Sequence, residues 1–320
     1  MTTPASDSVI VGFYNLENLF DPTDAHGVLD DDFTPVGQKH WTPKRYEKKL
    51  RHIGQTISRL GSLSAVEYPV LMGLAELEND KVLDDLLEME SMKKNGMDFI
   101  HYDSPDERGI DNALLYHRDF FEPEHCEPLP VLIYNEDGSR DYTRDITYVR
   151  GNLNGERVHV FVNHWPSRRD GMPETDSKRI TAAATLLSFM ETLEAEEENP
   201  NYLIMGDFND GPDSKSIQHL VGEKPLYNPM ETLQSPNRGS ANYRGEWSVF
   251  DQIILSHSFL KTHPGTHTFD EADIFDAHFL QEWKQPYKGK PFRTFVGQKY
   301  LGGYSDHFPV YVLLRYHNLL

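Results

Sequence analysis

Residues 201–210, NYLIMGDFND, run a strand-like apolar segment into a glycine and then into Asp207, Asn209 and Asp210. An acidic–amide pair after a strand is by itself an ordinary turn. Here it has company. VIVGFY ends in Asn15, with Glu17 close behind; VLMGLA ends in Glu76; VHVFV ends in Asn163 and His164. Two later segments carry such residues at their start: Asp251 precedes QIIL, and Asp306–His307 precedes FPVYVLL. Carboxylates and amide carbonyls are hard oxygen ligands, a set that suits Mg2+, which takes a few carboxylates and keeps several waters. Imidazoles at 164 and 307 can transfer a proton or contact an anionic oxygen, and an aspartate beside one fixes its orientation. With one cysteine, no HExxH and no paired Cys/His spacing, zinc is disfavoured. There is no GxSxG and no P-loop, so the residues point to attack by water assisted by a metal ion, without a covalent intermediate.

These groups act together only if the elements bring them to one place. Residues ending some strands and opening others share a rim when those strands run antiparallel. SVIVGFY (8–14), YPVLMGLAE (68–76), NALLYH (112–117), DITYVRG (145–151), RVHVFVNH (157–164), NYLIMGD (201–207), SVFDQIILS (248–256) and FPVYVLLRY (308–316) read as strands. Residues 42–61 read as a helix with Thr42 as N-cap, Pro43 at its first position and Gly61 at its end. Its Leu50, Ile53, Ile57 and Leu60 fall on one face. Residues 79–96, capped by Asn79, and 174–198 read as two further helices. The mixed order, without a Pro-, Gly- or Ser-rich linker, predicts one α/β domain over residues 1–320.

Composition narrows the partners. The 320 residues carry 31 Lys+Arg against 51 Asp+Glu, a formal charge of −20. Nucleic-acid binders draw most of their affinity from cations neutralising phosphates, and no basic cluster here exceeds KRYEKKLR (44–51). An extended nucleic-acid footprint is therefore disfavoured, while a small anion held through bound cations fits an acidic site. No run approaches the ~20 apolar residues of a membrane span. The start MTTPASDS has neither the cationic nor the apolar part of a secretory leader. With the single Cys126, the expectation is a cytoplasmic chain.

Taken in order, YNLENLFD (14–21), GLAELEN (73–79), NHWPSR (163–168), GDFND (206–210), WSVFDQIILS (247–256) and GGYSDHFPV (302–310) resemble the motif series of the endonuclease/exonuclease/phosphatase superfamily, the deoxyribonuclease I-like fold. The resemblance spans residues 8–316, and RTFVGQKYLGGYSDHFPV is similar to a bacterial subgroup of unassigned substrate. It implies a four-layer sandwich of two packed mixed β-sheets flanked by helices, a Mg2+ or Mn2+ cofactor, and hydrolysis of phosphate esters. By the same resemblance Glu76 is the main metal ligand, with Asn15 and Asp306 nearby. Asp207 and Asn209 line the scissile phosphate and orient or deprotonate the water. His307, partnered by Asp251, contacts the phosphate or acts as base, and His164 is a second imidazole there. Arg144, in YTRDITYV, resembles a phosphate-binding arginine. Asn112, beside Asp111 in RGIDNALLY, stands where the family places substrate contacts. The expected function is hydrolysis of a phosphodiester, with nucleic acid or a small diester as substrate. Phosphomonoesters and phospholipid head groups are the alternatives on the same site. From another class, a non-catalytic binding protein on this fold would have lost part of the set, and every member is present.

Overall fold

The computed structural model describes residues 8–24, 28–64, 66–93, 96–135, 137–168 and 172–318. Twelve strands form two six-stranded sheets. In chain order they are β1 (Ser8–Leu19), β2 (Pro69–Leu77), β3 (Met97–His101), β4 (Asp111–His117), β5 (Phe121–Leu129), β6 (Ile146–Leu153), β7 (Glu156–His164), β8 (Tyr202–Asp207), β9 (Leu226–Tyr227), β10 (Asp251–Ser256), β11 (His267–Ile274) and β12 (Val310–Tyr316). The helices are α1 (Pro43–Gly61), α2 (Asp80–Leu87), α3 (Met172–Glu196) and α4 (Lys215–Glu223). One sheet has the order β11–β12–β1–β2–β4–β3, the other β9–β10–β8–β7–β6–β5. β1 and β2 are parallel, as are β7 and β8; the remaining neighbours are antiparallel.

The period-two alternation of side chains across a strand explains the layers. On β1, Val9, Val11 and Phe13 enter the core between the sheets, where Val158, Val160 and Val162 of β7 and Leu203 and Met205 of β8 meet them. Ile10, Tyr14 and Leu16 point the other way, onto Leu50, Ile53, Ile57 and Leu60 of α1. On the far side Phe161, Tyr202, Ile204 and Ile254 pack against Leu186, Met190, Ile217 and Leu220 of α3 and α4. Each central strand is therefore buried on both faces, which is why these segments read as continuous apolar runs. The result is the four-layer α/β sandwich expected.

Several expectations need adjustment. Thr42 precedes α1 without a side-chain capping bond; its carbonyl accepts from Arg45 N and Tyr46 N. The helix expected over 79–96 is shorter, ending at Leu87, although Asn79 Oδ1 does cap it through Val82 N at 3.0 Å. The strand expected over 248–256 is broken at Val249–Phe250: Glu246–Ser248 pairs with Ala241–Tyr243 in a separate ribbon, and β10 begins at Asp251. β3, β5, β11 and α4 were not legible as elements. β3, β5 and β11 are sheet edges. β5 (FEPEHCEPL) carries two prolines and β11 (HTFDEADI) three acidic residues, as edges tolerate and central strands do not.

Candidate active site

Parallel β1 and β2 end at one rim, where antiparallel β12 begins; β7 and β8 end at the matching rim of the other sheet, where β10 begins. The ladder sets Asp207 opposite His164 on one side and Asp251 on the other. Asn15 lies opposite Ala75, and Ala75 opposite Asn112. Glu76 drops out of register between Ala75 and Leu77, with φ +62°. Such a bulge re-aims one side chain without moving the strand. Glu17, Asn18 and Asn209 also take left-handed backbone, at φ +51°, +55° and +51°. Strain of this kind persists where surrounding structure holds it, and it clusters at functional sites.

The two sheets meet through side chains. Asn15 Nδ2 donates to Asp207 Oδ2 at 3.0 Å, while Asn15 Oδ1 accepts from Glu17 N at 2.9 Å. Asp207 Oδ1 accepts from Asn209 N at 2.9 Å. His307 Nδ1 sits 2.7 Å from Asp251 Oδ2. His307 Nε2 is 3.9 Å from Asp207 Oδ2 and 4.0 Å from Asp306 Oδ1. His164 Nε2 lies 3.8 Å from Asp207 Oδ2 and 3.9 Å from Glu76 Oε1. Five groups from both sheets thus face one another across gaps too wide for hydrogen bonds.

Burial and neighbouring charge set the proton affinities. Burial pushes the Asp207 carboxyl up to about 6 although His307 opposes it. Burial alone would lower the His307 imidazole, but Asp251 and Asp207 outweigh it and hold it well above 6.5. Burial would likewise raise Asp306, yet His307, Arg293 and Lys49 pull it below the usual aspartate range. Behind Asp306 lies a network that no sequence motif marks. Arg293 Nη2 bonds Asp306 Oδ2 at 2.6 Å. Glu17 accepts from Thr294 N and Phe295 N at 2.5 and 3.2 Å. Lys49 Nζ donates to Thr294 Oγ1 and Tyr304 O at 2.5 and 2.6 Å. Burial raises Glu17 to about 7 and lowers Lys49 to about 8. The one signal in the sequence was a lysine at the border of the apolar face of α1.

Among the described residues two groups of ligand-type side chains are close enough to hold an ion: Asp207–Asp251–His307 and His101–Asp103–Asp111. In the second, His101 already bonds Asp80 and Asp111 at 2.7 and 3.3 Å, which is a structural tie. In the first, Asp251 is fully buried and its carboxylate is bonded to His307; the metal ligands expected from the sequence, Glu76 and Asp306, belong to neither group. Their donors fit a hard divalent cation. Glu76 Oε2 is anchored by Asn18 N at 3.0 Å and Asp306 Oδ2 by Arg293, while the other oxygen of each faces the shared gap. Asn15 keeps only the remaining lone pair of its carbonyl.

The structure brings together Asn15, Glu76, His164, Asp207, Asn209, Asp251, Asp306 and His307. Asn209 Nδ2 donates to Trp165 O at 2.9 Å, which fixes it beside the His164 turn. Arg144 is buried one layer behind, bonded to Asp106 Oδ2 at 3.0 Å and to the same Trp165 O at 2.9 Å. Asn112 is buried next to the Glu76 bulge and donates to Asp145 O at 2.9 Å. Asp210 is a hub: Arg168, Ser216 and Arg179 converge on it at 2.5, 2.5 and 2.7 Å, tying GDFND to both flanking helices.

A family model described as "Endonuclease/Exonuclease/phosphatase family" matches residues 10–316. Comparison with curated proteins gives no match. Among solved structures, an endonuclease/exonuclease/phosphatase family protein from Bacteroides thetaiotaomicron shares 18% identity at a TM-score of 0.61, covering 97% of this chain and 95% of its own. The mannosyl-6-phosphatase Bt3783 of Bacteroides thetaiotaomicron follows at 17% and 0.59, covering 96% and 99%. Truncated Caenorhabditis elegans TDP2 stands at 13% and 0.59, covering 96% and 97%. At such identities these structures show the fold, and the match over nearly the whole chain shows the family: the chain belongs to the endonuclease/exonuclease/phosphatase family, whose members hydrolyse phosphoesters.

Proposed function

We propose that this protein is a Mg2+- or Mn2+-dependent phosphoesterase that hydrolyses a phosphodiester by direct attack of water. The observation that carries the reading is the convergence of Glu76, Asp306, His164, Asp207 and His307 across gaps of 3.8–4.0 Å. Glu76 and Asp306, with Asn15 beside them, would hold the cation, which supplies charge neutralisation at the phosphate and the leaving oxygen. The protein's own groups divide the proton work. A carboxyl at about 6 and an imidazole held well above 6.5 titrate in separate ranges, and that order assigns roles. At pH 7 Asp207 is largely ionised and takes the proton of the attacking water as its oxygen bonds to phosphorus. His307, cationic against Asp251, donates to a phosphate oxygen, as do His164 and the Asn209 amide. The bond from phosphorus to the leaving oxygen then breaks, and that oxygen is protonated from solvent.

Hydrolysis of bis- and mono-4-nitrophenyl phosphate, each with Mg2+, with Mn2+ and with EDTA, tests this beside His307→Ala. The expected result is metal-dependent cleavage of the diester, reduced at least ~100-fold in the variant, the lower range for a general acid–base group. Preference for the monoester would move the substrate class to phosphomonoesters. Turnover undiminished by EDTA would sink the metal-dependent reading.

A further inference from the structure

Beside Asp306 the surface opens into a cavity of about 280 Å3. Val296 and Leu301 line part of it, and the rest of its walls comes from two projections outside the large sheets. One is the ribbon of Ala241–Tyr243 and Glu246–Ser248, which carries Tyr243 and Arg244 near its tip. It is fastened to the catalytic rim, since Phe308 N donates to Ser240 O at 2.7 Å and Ala241 bridges His307. The other is the loop 281–293, carrying Tyr287, Lys290 and Arg293. Glu282 N to Lys290 O and Gly289 N to Glu282 O, both 2.8 Å, close it on itself.

Charge is distributed unevenly around this cavity. Arg293 is engaged with Asp306 and Glu17. Glu282 is buried, and its Oε1 accepts from Trp283 N and Lys284 N at 2.9 and 3.0 Å. Among the described residues Arg244 and Lys290 form no ion pair, in a chain with a net charge of −20. Each instead lies over an aromatic face, Arg244 at 5.1 Å from Tyr243 and Lys290 at 5.9 Å from Tyr287. Both rings stay open to solvent, Tyr243 at 67% and Tyr287 at 46% exposure. Exposed rings offer stacking surfaces for planar groups, and cations over them offer charge-assisted bonds to an anion. The volume of about 280 Å3 sits just below the ~300–1,000 Å3 of small-molecule sites, which fits one unit and not a polymer.

We infer that this cavity is the subsite for the group esterified to the scissile phosphate, and that it takes a planar ring joined to a second anionic group, a nucleoside phosphate in chemical class. Tyr243 and Tyr287 flank the ring, and Arg244 and Lys290 bind the second anion. The inference rests on the phosphoesterase reading for its orientation and on the cavity for its ligand class.

The test compares the 4-nitrophenyl ester of thymidine 5′-phosphate with the same ester carrying a 3′-phosphate. Wild type should show a KM about tenfold lower for the 3′-phosphorylated ester, one charge-assisted hydrogen bond's worth. Arg244→Ala and Lys290→Ala should each remove that advantage. They should leave kcat, and cleavage of bis-4-nitrophenyl phosphate, within twofold, and Lys290→Arg should retain the preference. Equal KM for the two esters in wild type, or unchanged KM in both variants, would overturn the subsite. Calorimetric binding of thymidine 3′,5′-bisphosphate in EDTA separates the two readings. If no ester turns over, the proposed activity falls, yet binding weakened about tenfold in both variants sustains the subsite. Absence of binding to wild type overturns it.

Discussion

Asp207 and His307 lie 3.9 Å apart at their nearest ionisable atoms, and the proposed mechanism uses them as a carboxylate base beside an imidazolium at pH 7. Asp251 is the residue on which this depends, because its Oδ2 lies 2.7 Å from the imidazole Nδ1. Asp251→Asn removes a negative charge that stabilises the imidazolium, so the His307 pKa must fall. The alkaline limb of kcat/KM should move to lower pH, while the acid limb, set by Asp207, stays above the ordinary aspartate range. A pH–rate profile of wild type and variant at fixed metal concentration reads both limbs; an unmoved alkaline limb would remove His307 from the proton-donating role. Glu76→Ala should weaken metal binding and activity together. Titration of activity with Mg2+ should show a midpoint raised by at least tenfold, and an unchanged midpoint would move the ion elsewhere.

At the scale of elements, the rim works because neighbouring strands lie close enough to place His164, Asp207 and Asp251 side by side. Gly206 makes that closeness possible: a Cβ there would stand 2.4 Å from Asn163 O and 2.6 Å from Asn163 Cβ on β7. Gly206→Ala must push β7 from β8. A loss of about 1–3 kcal/mol is expected from overpacking, read by urea unfolding, with activity falling further than stability because His164 and Asp207 separate. The other sheet has its own tie, His101 of β3 bonded to Asp80 at the start of α2 and to Asp111 of β4. Burial disfavours its charge, but Asp111 and Asp80 prevail and raise its pKa above 6.5. A folded-state pKa above the unfolded one contributes stability that is full below the unfolded pKa and fades as pH rises through the folded value. His101→Gln should therefore destabilise more at pH 5.5 than at pH 8.5, measured by denaturant midpoints at both; equal losses would contradict the charged tie.

At the scale of the whole molecule, net charge opposes long polyanions, whereas the proposed function asks the site to take a single phosphate. Arg244, Lys290 and Arg293 gather positive charge beside Asp306, against 51 acidic side chains in the chain. Cleavage of a mononucleotide ester should therefore exceed that of a duplex oligonucleotide in kcat/KM at ~0.1 M salt, where exposed charges are screened beyond about 10 Å. Among the described residues no helix is long and apolar enough to cross a membrane.

What the chain declares locally is what its central strands require. Segments buried on both faces must be continuously apolar, so β1, β2, β7, β8, β10 and β12 stand out, and the polar residues at their ends are conspicuous by contrast. The motif order then pointed to the family and to eight residues that lie together at the rim, while Arg144 and Asn112, expected with them, are buried on partners of their own. Edge strands bury one side at most, so β5 and β11 carry proline and acid and leave no such trace. Local pattern is also silent on contacts between distant segments. That Asn15 would reach Asp207 across 192 positions, that Arg144 would lie behind Trp165, and that Lys49, Glu17 and Arg293 would brace Asp306 depends on which sheet faces which. The bulge that turns Glu76 towards His164 is a departure from register, and register exists only once strands pair. The sequence determined the chemistry available and the rim on which it sits; packing of the two sheets decided the distances, the burial and hence the proton affinities through which that chemistry acts.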